Sequence, residues 1–142
     1  MDADMRYGAV MGIKETVHAV SVARSVMDKC VHNILVGDGA LQWALANGFS
    51  REKEVLTDSA RLEWEAWRDA KKEASSSSEP ASQQQSAEEK GHDTIGFICM
   101  DATGALCCGT STSGWKFKHP GRVGDAPVVG SGLYCDGTVG AA

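Results

Sequence analysis

The spacing of apolar residues predicts a helix soon after the start of the chain. Residues 1–13 alternate between apolar and polar positions and carry no helix start signal. From Val17 onward, apolar residues recur at intervals of three and four, which is the period of an α-helix. The residues predicted to share the inward face of this helix are Val17, Val20, Ala23, Met27, Cys30 and Val31. Asn33 interrupts the pattern and marks the predicted end of the helix.

Two further elements are predicted from a short apolar run and the residues around it. Residues 34–36 are apolar and are closed by Gly37-Asp38-Gly39, which predicts a short strand followed by a turn. A second helix is then predicted over residues 40–46, with Asn47-Gly48 as its stop signal.

A third helix is predicted to lead into a disordered linker. The helix covers residues 59 to about 70 and carries Leu62 and Trp67 on its inward side, opposite a strongly charged side. Residues 71–90 lack periodicity, aromatic residues and aliphatic β-branched residues, and they are rich in Ser, Gln and Glu. This composition predicts disorder because it offers too little apolar surface to bury.

The linker divides the chain into a mainly helical part, residues 1–70, and a mainly β part, residues 91–142. Neither part is long enough to bury a good core alone, because a domain of about 60 residues is already marginal. We therefore expect the two parts to form one fold, or to pack on something absent from this sequence.

The β part begins with a predicted hairpin. Residues 94–100, TIGFICM, are typical of a strand, Asp101-Ala102-Thr103-Gly104 of a hairpin turn, and residues 105–114 of the returning strand. Glycine-rich loops follow, and a further strand is predicted around residues 131–135.

Composition and charge exclude several classes of protein. The hydrophobic content of 42% and the charged content of 23% are near globular averages. The net charge of −5 gives no indication of binding to nucleic acid or to an anionic membrane surface. No apolar run approaches the roughly 20 residues that span a bilayer, and the first ten residues do not form a signal peptide. We expect neither a nucleic-acid nor a membrane partner.

No metal or cofactor motif is found. The five cysteines show no CxxC or Cys/His metal spacing and are interpreted as small buried hydrophobic residues. Residues 109–116 resemble a phosphate-binding loop, but Trp115 separates Gly114 from Lys116 and the segment continues a strand. A nucleotide site is therefore not predicted.

Two groups of residues offer candidate chemistry. In the predicted hairpin, Thr94 lies near residues 110–112, so a hydroxyl of the second strand can lie beside it, although ordinary threonine pairing across a β-ladder explains the same pattern. On the glycine-rich loop 121–125, Arg122 and Asp125 match the carboxylate and ammonium groups of an α-amino acid. From the residues alone, a surface ion pair between Arg122 and Asp125 is the simpler interpretation.

Three motifs at this spacing resemble the glycosylasparaginase family, which are N-terminal nucleophile hydrolases of the type-2 asparaginase superfamily. The motifs are GHDTIG at 91–96, GTSTSG at 109–114 and GRVGDAP at 121–127. A weaker resemblance extends through residues 1–50 to the end of the family's α-chain. Ala126 stands where serine is usual in the family.

The resemblance implies an autoprocessing segment, His92-Asp93-Thr94, in which a precursor is cut between Asp93 and Thr94. Thr94 is then the nucleophile and, through its freed α-amino group, also the base, because a threonine hydroxyl needs an adjacent base to attack. Thr112 matches the threonine that contacts the nucleophile and helps to set its basicity.

The resemblance also implies a substrate-binding loop, Arg122-Val123-Gly124-Asp125. Arg122 matches the residue that binds the substrate α-carboxylate, and Asp125 matches the one that binds the α-ammonium. The implied substrate is a small N4-glycosylated asparagine, the products are aspartate and a glycosylamine, and no cofactor is needed. Isoaspartyl peptidases/L-asparaginases of the same superfamily share these roles and are the alternative. His-Asp before the threonine favours glycosylasparaginase.

By resemblance, the fold is α+β and forms part of a four-layer αββα sandwich, truncated at both ends. Full-length members act in glycoprotein degradation as dimers of αβ heterodimers, lysosomal in eukaryotes and periplasmic in bacteria. The chain is expected to be an internal fragment that lacks the family's first strand and helix and its oxyanion-hole segment. We expect such a fragment neither to fold well nor to process itself. The alternative of another class is an inactive product that serves as an interaction partner.

Overall fold

Three helices and six strands make up the described part of the molecule. A computed structural model describes residues 1–53, 55–76 and 94–142. In chain order the elements are β1 (Ala9–Met11), α1 (Ala19–Lys29), β2 (Ile34–Val36), α2 (Gly37–Ala46), α3 (Asp58–Ser76), β3 (Thr94–Met100), β4 (Leu106–Thr112), β5 (Cys135–Asp136) and β6 (Gly140–Ala141). The strands form three two-stranded sheets, β1–β2, β3–β4 and β5–β6. This mixture of helices and strands is an α+β arrangement.

The alternating residues near the start of the chain include a strand that was not predicted. β1 pairs in parallel with β2, with Ala9 opposite Ile34. The chain enters β1 through Gly8, which lies against α1 so closely that a Cβ at this position would be 2.3 Å from the carbonyl oxygen of Ala23. A strand of three residues is too short to be recognised from the alternation of apolar and polar residues. β1 becomes evident only from its pairing with β2 and its position beside α1.

The buried face of α1 differs from the predicted one. Val22 and Val26 are fully buried, and the hydroxyl of Ser25 beside them accepts a hydrogen bond of 3.3 Å from Trp43 Nε1. The predicted inward residues that are instead exposed are Val17, Val20 and Val31. The helix carries two apolar stripes with the same period, so periodicity alone cannot choose between them. The stripe that contains Val22 and Val26 is fully buried, while Ala23 and Met27 of the predicted stripe lie against Gly8.

α2 begins three residues earlier than predicted. Gly37, with a φ of +53°, lets the chain pass from β2 directly into the helix. Gly37-Asp38-Gly39 is therefore the start of a helix, and its prediction as a separate turn is wrong. The predicted end is confirmed, because the N–H of Asn47 donates to Trp43 O at 3.0 Å and Gly48 follows with a φ of +87°.

α3 continues six residues beyond the predicted end, to Ser76. Lysine, glutamate and alanine have high helix propensity, and Lys71 Nζ lies 5.0 Å from the ring centroid of Trp67, one helical turn earlier. The predicted linker therefore starts too early, since residues 71–76 belong to the helix. Residues 77–90 lie outside the described residues.

α3 packs on the loop that follows β4. The rings of Trp67 and Phe117 stack with their centroids 4.9 Å apart and an angle of 10° between their planes. Lys116 Nζ lies 2.8 Å from a carboxylate oxygen of Glu63. The predicted inward position of Trp67 agrees with this contact, whereas that of Leu62 is wrong, because Leu62 is 66% exposed.

The predicted hairpin is confirmed. β3 and β4 pair antiparallel along their whole length, from Thr94 opposite Thr112 to Met100 opposite Leu106. The part of the suspected phosphate loop that precedes Ser113 is therefore strand, in agreement with the interpretation from sequence. Every residue of β3 is exposed in the described molecule.

The turn of the hairpin is built around one carboxylate. Asp101 Oδ1 accepts the N–H of Thr103 at 2.8 Å and that of Ala105 at 3.0 Å, and Gly104 adopts a φ of +88°. The Thr103 hydroxyl also donates to it, and this bond, with the two backbone N–H groups, holds the pKa of Asp101 below its usual value. These bonds fix the turn and hence the register of the hairpin.

A small core joins the hairpin to the end of the chain. It consists of Cys108, Leu133 and Cys135. The strand predicted around 131–135 is wrong in its bounds, because only Cys135 of those residues belongs to a strand, β5. All five thiols are free. Their interpretation as buried hydrophobic residues is right for Cys108 and Cys135 and wrong for Cys99, which is exposed.

Candidate active site

Two threonines meet at the open end of the hairpin. Thr94 begins β3, Thr112 ends β4, and the register places them directly opposite each other. Opposed residues of an antiparallel pair have Cβ atoms about 4.5–5.5 Å apart on one face. Thr94 is exposed, whereas Thr112 is partly buried and its Oγ1 accepts the N–H of Gly114 at 2.9 Å. The second-strand hydroxyl predicted beside Thr94 is therefore that of Thr112.

Thr110 ties the same face of β4 to the loop beyond it. It lies two residues before Thr112, so both side chains point to one face, while Ser111 points to the other. The hydroxyl of Thr110 donates to the carbonyl oxygen of Ala126, a residue that is only 3% exposed. This bond anchors the end of the loop that carries Asp125 to the strand that carries Thr112.

Arg122 lies in a cradle made by an indole ring and two glycines. Its Cζ is 5.0 Å from the ring centroid of Trp115. A Cβ added at Gly114 would be 3.2 Å from Arg122 Nη1, and one added at Gly124 would be 3.1 Å from the same atom. Both glycines therefore leave room for the guanidinium, and Gly114 also adopts a φ of +72°.

Arg122 and Asp125 do not pair with each other. Among the described residues, neither side chain has an oppositely charged group within 4.0 Å. Arg122 is partly buried and Asp125 is exposed. The surface ion pair that the residues alone suggested is thus absent from the described part of the chain.

One cavity of about 840 Å³ brings several of the predicted residues together. Its lining includes Thr112, Arg122, Val123 and Gly124, and the start of α1 closes its other side. Thr94 and Asp125 are not among its lining residues. The structure therefore groups Thr112 with the loop up to Gly124 and leaves Asp125 outside this cavity.

The likeness to known proteins extends over the whole chain. A sequence model of the asparaginase family matches residues 1–142. The chain belongs to the asparaginase family. This agrees with the superfamily that the motifs around Thr94, Thr112 and Arg122 predicted.

The curated relatives of this asparaginase-family chain carry a more specific name. It is 41% identical over 142 residues to the N(4)-(beta-N-acetylglucosaminyl)-L-asparaginase of Elizabethkingia miricola, covering 100% of this chain and 38% of that protein. Proteins of the same name from Rattus norvegicus and Mus musculus are 36% identical, and each match covers 97% of this chain and 46% of the relative. The chain thus spans less than half the length of these relatives. The predicted resemblance to glycosylasparaginases is confirmed.

Two of the predicted residues cannot be located. His92 and Asp93 lie outside the described residues, which resume at Thr94. The structure therefore gives the position of the candidate nucleophile but not that of the bond before it. The role of His92-Asp93-Thr94 in autoprocessing stays a prediction.

Two residues beside the candidate site were not predicted from the sequence. Trp115 covers Arg122, and Lys118 Nζ donates to the carbonyl oxygen of Ser113 at 2.6 Å, which closes the loop after β4. The only sequence signal for Lys118 is that a basic residue lies four positions before Arg122. A lone tryptophan in a glycine-rich loop gives no signal of what it covers.

Two kinds of feature are absent from the described ranges, 1–53, 55–76 and 94–142. None of the helices there is both long and apolar enough to cross a bilayer. No group of three His, Cys, Asp or Glu side chains in those ranges is arranged to hold a metal ion.

Proposed function

We propose that the protein containing this chain hydrolyses the N4-glycosidic amide of glycosylated asparagine and releases aspartate and a glycosylamine. The observation that carries the proposal is Thr94 opposite Thr112 at the open end of the hairpin. It is supported by the relatives, which are named N(4)-(beta-N-acetylglucosaminyl)-L-asparaginases. A threonine beside a second hydroxyl is suited to nucleophilic attack once it has a base.

Cleavage of the chain between Asp93 and Thr94 supplies that base. An internal threonine has an amide nitrogen, which cannot accept a proton, whereas an N-terminal amine has a reference pKa of about 7.7–8.0. Thr94 Oγ1 attacks the Asp93 carbonyl carbon, and its proton passes to the Thr94 nitrogen. The C–N bond then breaks, which frees the Thr94 α-amine and leaves an ester between Asp93 and Thr94 Oγ1. Water then hydrolyses this ester, which frees the Asp93 carboxylate and restores the Thr94 hydroxyl.

Turnover then repeats the chemistry on the substrate. The Thr94 amine accepts the proton of Oγ1 while Oγ1 attacks the side-chain amide carbon of the asparagine. The proton passes to the nitrogen of the departing glycosylamine, which leaves a β-aspartyl ester on Thr94. The amine next activates water, which hydrolyses the ester and releases aspartate. Thr112 contacts the nucleophile and helps to set its basicity.

The loop 121–125 recognises the amino-acid part of the substrate. Arg122 binds the α-carboxylate, since its planar fork of N–H donors matches a carboxylate, and no described carboxylate occupies it. Asp125 binds the α-ammonium. Val123 and Gly124 form the turn between these two side chains, and both line the cavity next to Arg122.

The complete protein is proposed to be a four-layer αββα sandwich. β3 is exposed on both faces, with Ile95 68% and Met100 70% exposed on opposite sides. Apolar residues on both faces are typical of a strand that further layers cover. We also propose assembly as a dimer of αβ heterodimers, in a lysosome if the source is eukaryotic and in the periplasm if it is bacterial.

The proposed activity is tested by a choice between two substrates. Protein expressed from the complete reading frame is offered N4-(N-acetylglucosaminyl)-asparagine and, in parallel, β-aspartyl dipeptides. Release of aspartate from the glycosylated asparagine is the expected result. Turnover of the dipeptides alone would instead assign the protein to the isoaspartyl peptidases and reject the proposal.

A further inference from the structure

The guanidinium of Arg122 lies against the indole ring of Trp115, a residue with no role in the proposed hydrolysis. Its guanidinium carbon lies 5.0 Å from the ring centroid of Trp115. The indole is 43% exposed, so Trp115 is not a core residue. A cation over an indole face is attracted by the quadrupole of the ring. The loop therefore places a partly exposed aromatic ring against the Arg122 cation.

The backbone at two glycines also lies close to the guanidinium. The missing Cβ atoms of Gly114 and Gly124 would lie 3.2 and 3.1 Å from Nη1, close enough to displace it. The ring of Trp115 and these two glycines thus restrict the guanidinium on several sides. Among the described residues, no carboxylate lies within 4.0 Å of the Arg122 guanidinium to hold it instead.

A free arginine side chain samples many rotamers and loses this freedom on binding a ligand. An arginine side chain that is already held in place loses less conformational entropy on binding, so it binds the ligand more tightly without any new contact to it. We infer that Trp115 is a positioning residue, which holds Arg122 ready for the α-carboxylate of the substrate. This inference rests on the proposed function, because it assigns the α-carboxylate to Arg122.

The loop that carries Trp115 is itself supported by α3. The stacked rings of Trp67 and Phe117 and the ion pair between Glu63 and Lys116 lie one or two residues beyond Trp115. Replacement of the indole alone therefore leaves these two supports in place. A loss of binding in such a variant reports on Arg122 and not on collapse of the loop.

The test uses Trp115→Leu and Trp115→Phe in the protein from the complete reading frame. Binding of L-aspartate is measured by calorimetry, and kcat and KM are measured with glycosylated asparagine. We expect Trp115→Leu to raise the Kd for L-aspartate and the KM about fivefold, the size of an exposed cation–π contact, with kcat changed less than about twofold. Trp115→Phe keeps an aromatic face and should recover most of the affinity.

Trp64 provides the matched control. Arg68 Cζ lies 4.9 Å from its ring centroid, and the ring is 42% exposed, so the same kind of contact occurs away from the site. Trp64→Leu should leave Kd and KM unchanged. Trp115→Leu should not change the Kd for L-aspartate further when it is added to Arg122→Ala. It should also leave unchanged the Kd for the α-amide of aspartate, which lacks the α-carboxylate.

The inference is overturned if Trp115→Leu leaves the Kd unchanged, if Trp64→Leu weakens binding equally, or if the effect persists in Arg122→Ala. The last result would mean that the indole touches the ligand directly.

These outcomes are distinct from failure of the proposed function. A protein that binds L-aspartate through Trp115 and Arg122 but does not hydrolyse glycosylated asparagine would reject the proposed function and retain the inference, whereas absence of both would reject both.

Discussion

Thr94 and Thr112 lie directly opposite each other across the β3–β4 hairpin. Because side chains alternate along a strand, a slip of one residue would bring Ser111 or Ser113 opposite Thr94 and move every side chain to the other face. The hydroxyl beside the proposed nucleophile is therefore set by the register of the hairpin. That register is in turn fixed by the turn at Asp101.

Thr112→Val is predicted to lower kcat about 10- to 100-fold with little change in KM. The valine keeps the shape of threonine but removes a hydroxyl beside the charged groups of the nucleophile, and a hydrogen bond to a charged group is worth about 1.5–3 kcal/mol. Steady-state kinetics measure the change. Ser111→Ala is the matched control, because it removes a hydroxyl from the opposite face of the same strand and should leave kcat intact. Equal losses in both variants would contradict a role specific to Thr112.

Arg122→Lys is predicted to raise KM about 10- to 100-fold while kcat changes much less. Lysine keeps the charge but loses the planar fork that binds both carboxylate oxygens, and such charged contacts are worth about 1.5–3 kcal/mol. The measurement is KM for glycosylated asparagine beside KM for its α-amide. The α-amide should be a poor substrate for both proteins. An unchanged KM for the normal substrate would show that Arg122 does not bind the carboxylate.

Gly114→Ala is predicted to weaken substrate binding as well as stability. The new Cβ would lie 3.2 Å from Arg122 Nη1, and the φ of +72° costs an alanine about 1–2 kcal/mol. Gly130→Ala is the control, since its φ is +80° but its Cβ would meet nothing within 4 Å. Thermal melts should show similar destabilisation in both variants, and KM should rise only for Gly114→Ala. A rise in both would mean that backbone strain and not contact with Arg122 is responsible.

Asp101→Ala is predicted to lower the melting temperature and to slow cleavage before Thr94. The pKa of Asp101 is held low in the fold, first by the hydroxyl of Thr103, so its stabilising effect is complete above the unfolded pKa of about 3.9. The effect is lost as the pH falls through the lower folded pKa. The difference in melting temperature between Asp101→Ala and the unsubstituted protein should therefore be largest near pH 6 and shrink below about pH 4.

Asp136→Ala is the control for this experiment. Asp136 accepts the N–H of Thr138 at 2.8 Å in a similar turn, and its pKa is also lowered, first by the hydroxyl of Thr138. Its turn joins β5 and β6 and does not set the register at Thr94. Loss of cleavage in both variants would indicate general instability and would contradict control of the site by the hairpin turn.

The hairpin could be predicted because its signals are local. A β-type run, a turn with Asp101 and Gly104, and a second run leave one way to pair, and Thr112 then falls near Thr94. The packed face of α1 could not be predicted in the same way. Val20 and Val22 belong to two apolar stripes of the same helix, and only the packing of the whole fold decides which stripe is buried.

The candidate site residues follow from sequence motifs, whereas the packing around them does not. Arg122 is marked by a motif, whereas the contact with Trp115 depends on the path of a loop that contains Gly114 and Phe117, both with positive φ. Such a path follows from the docking of α3 through Trp67, which is distant in sequence. Local patterns carry no information about a contact of that kind.

The central claim, that Thr94 becomes an N-terminal nucleophile, is tested most directly by the intact mass of the protein purified from its complete reading frame. We predict two fragments, the second beginning at Thr94, and a single uncut chain for Thr94→Ala. An active protein that remains one uncut chain would contradict the account, because its threonine would have no free amine to act as the base.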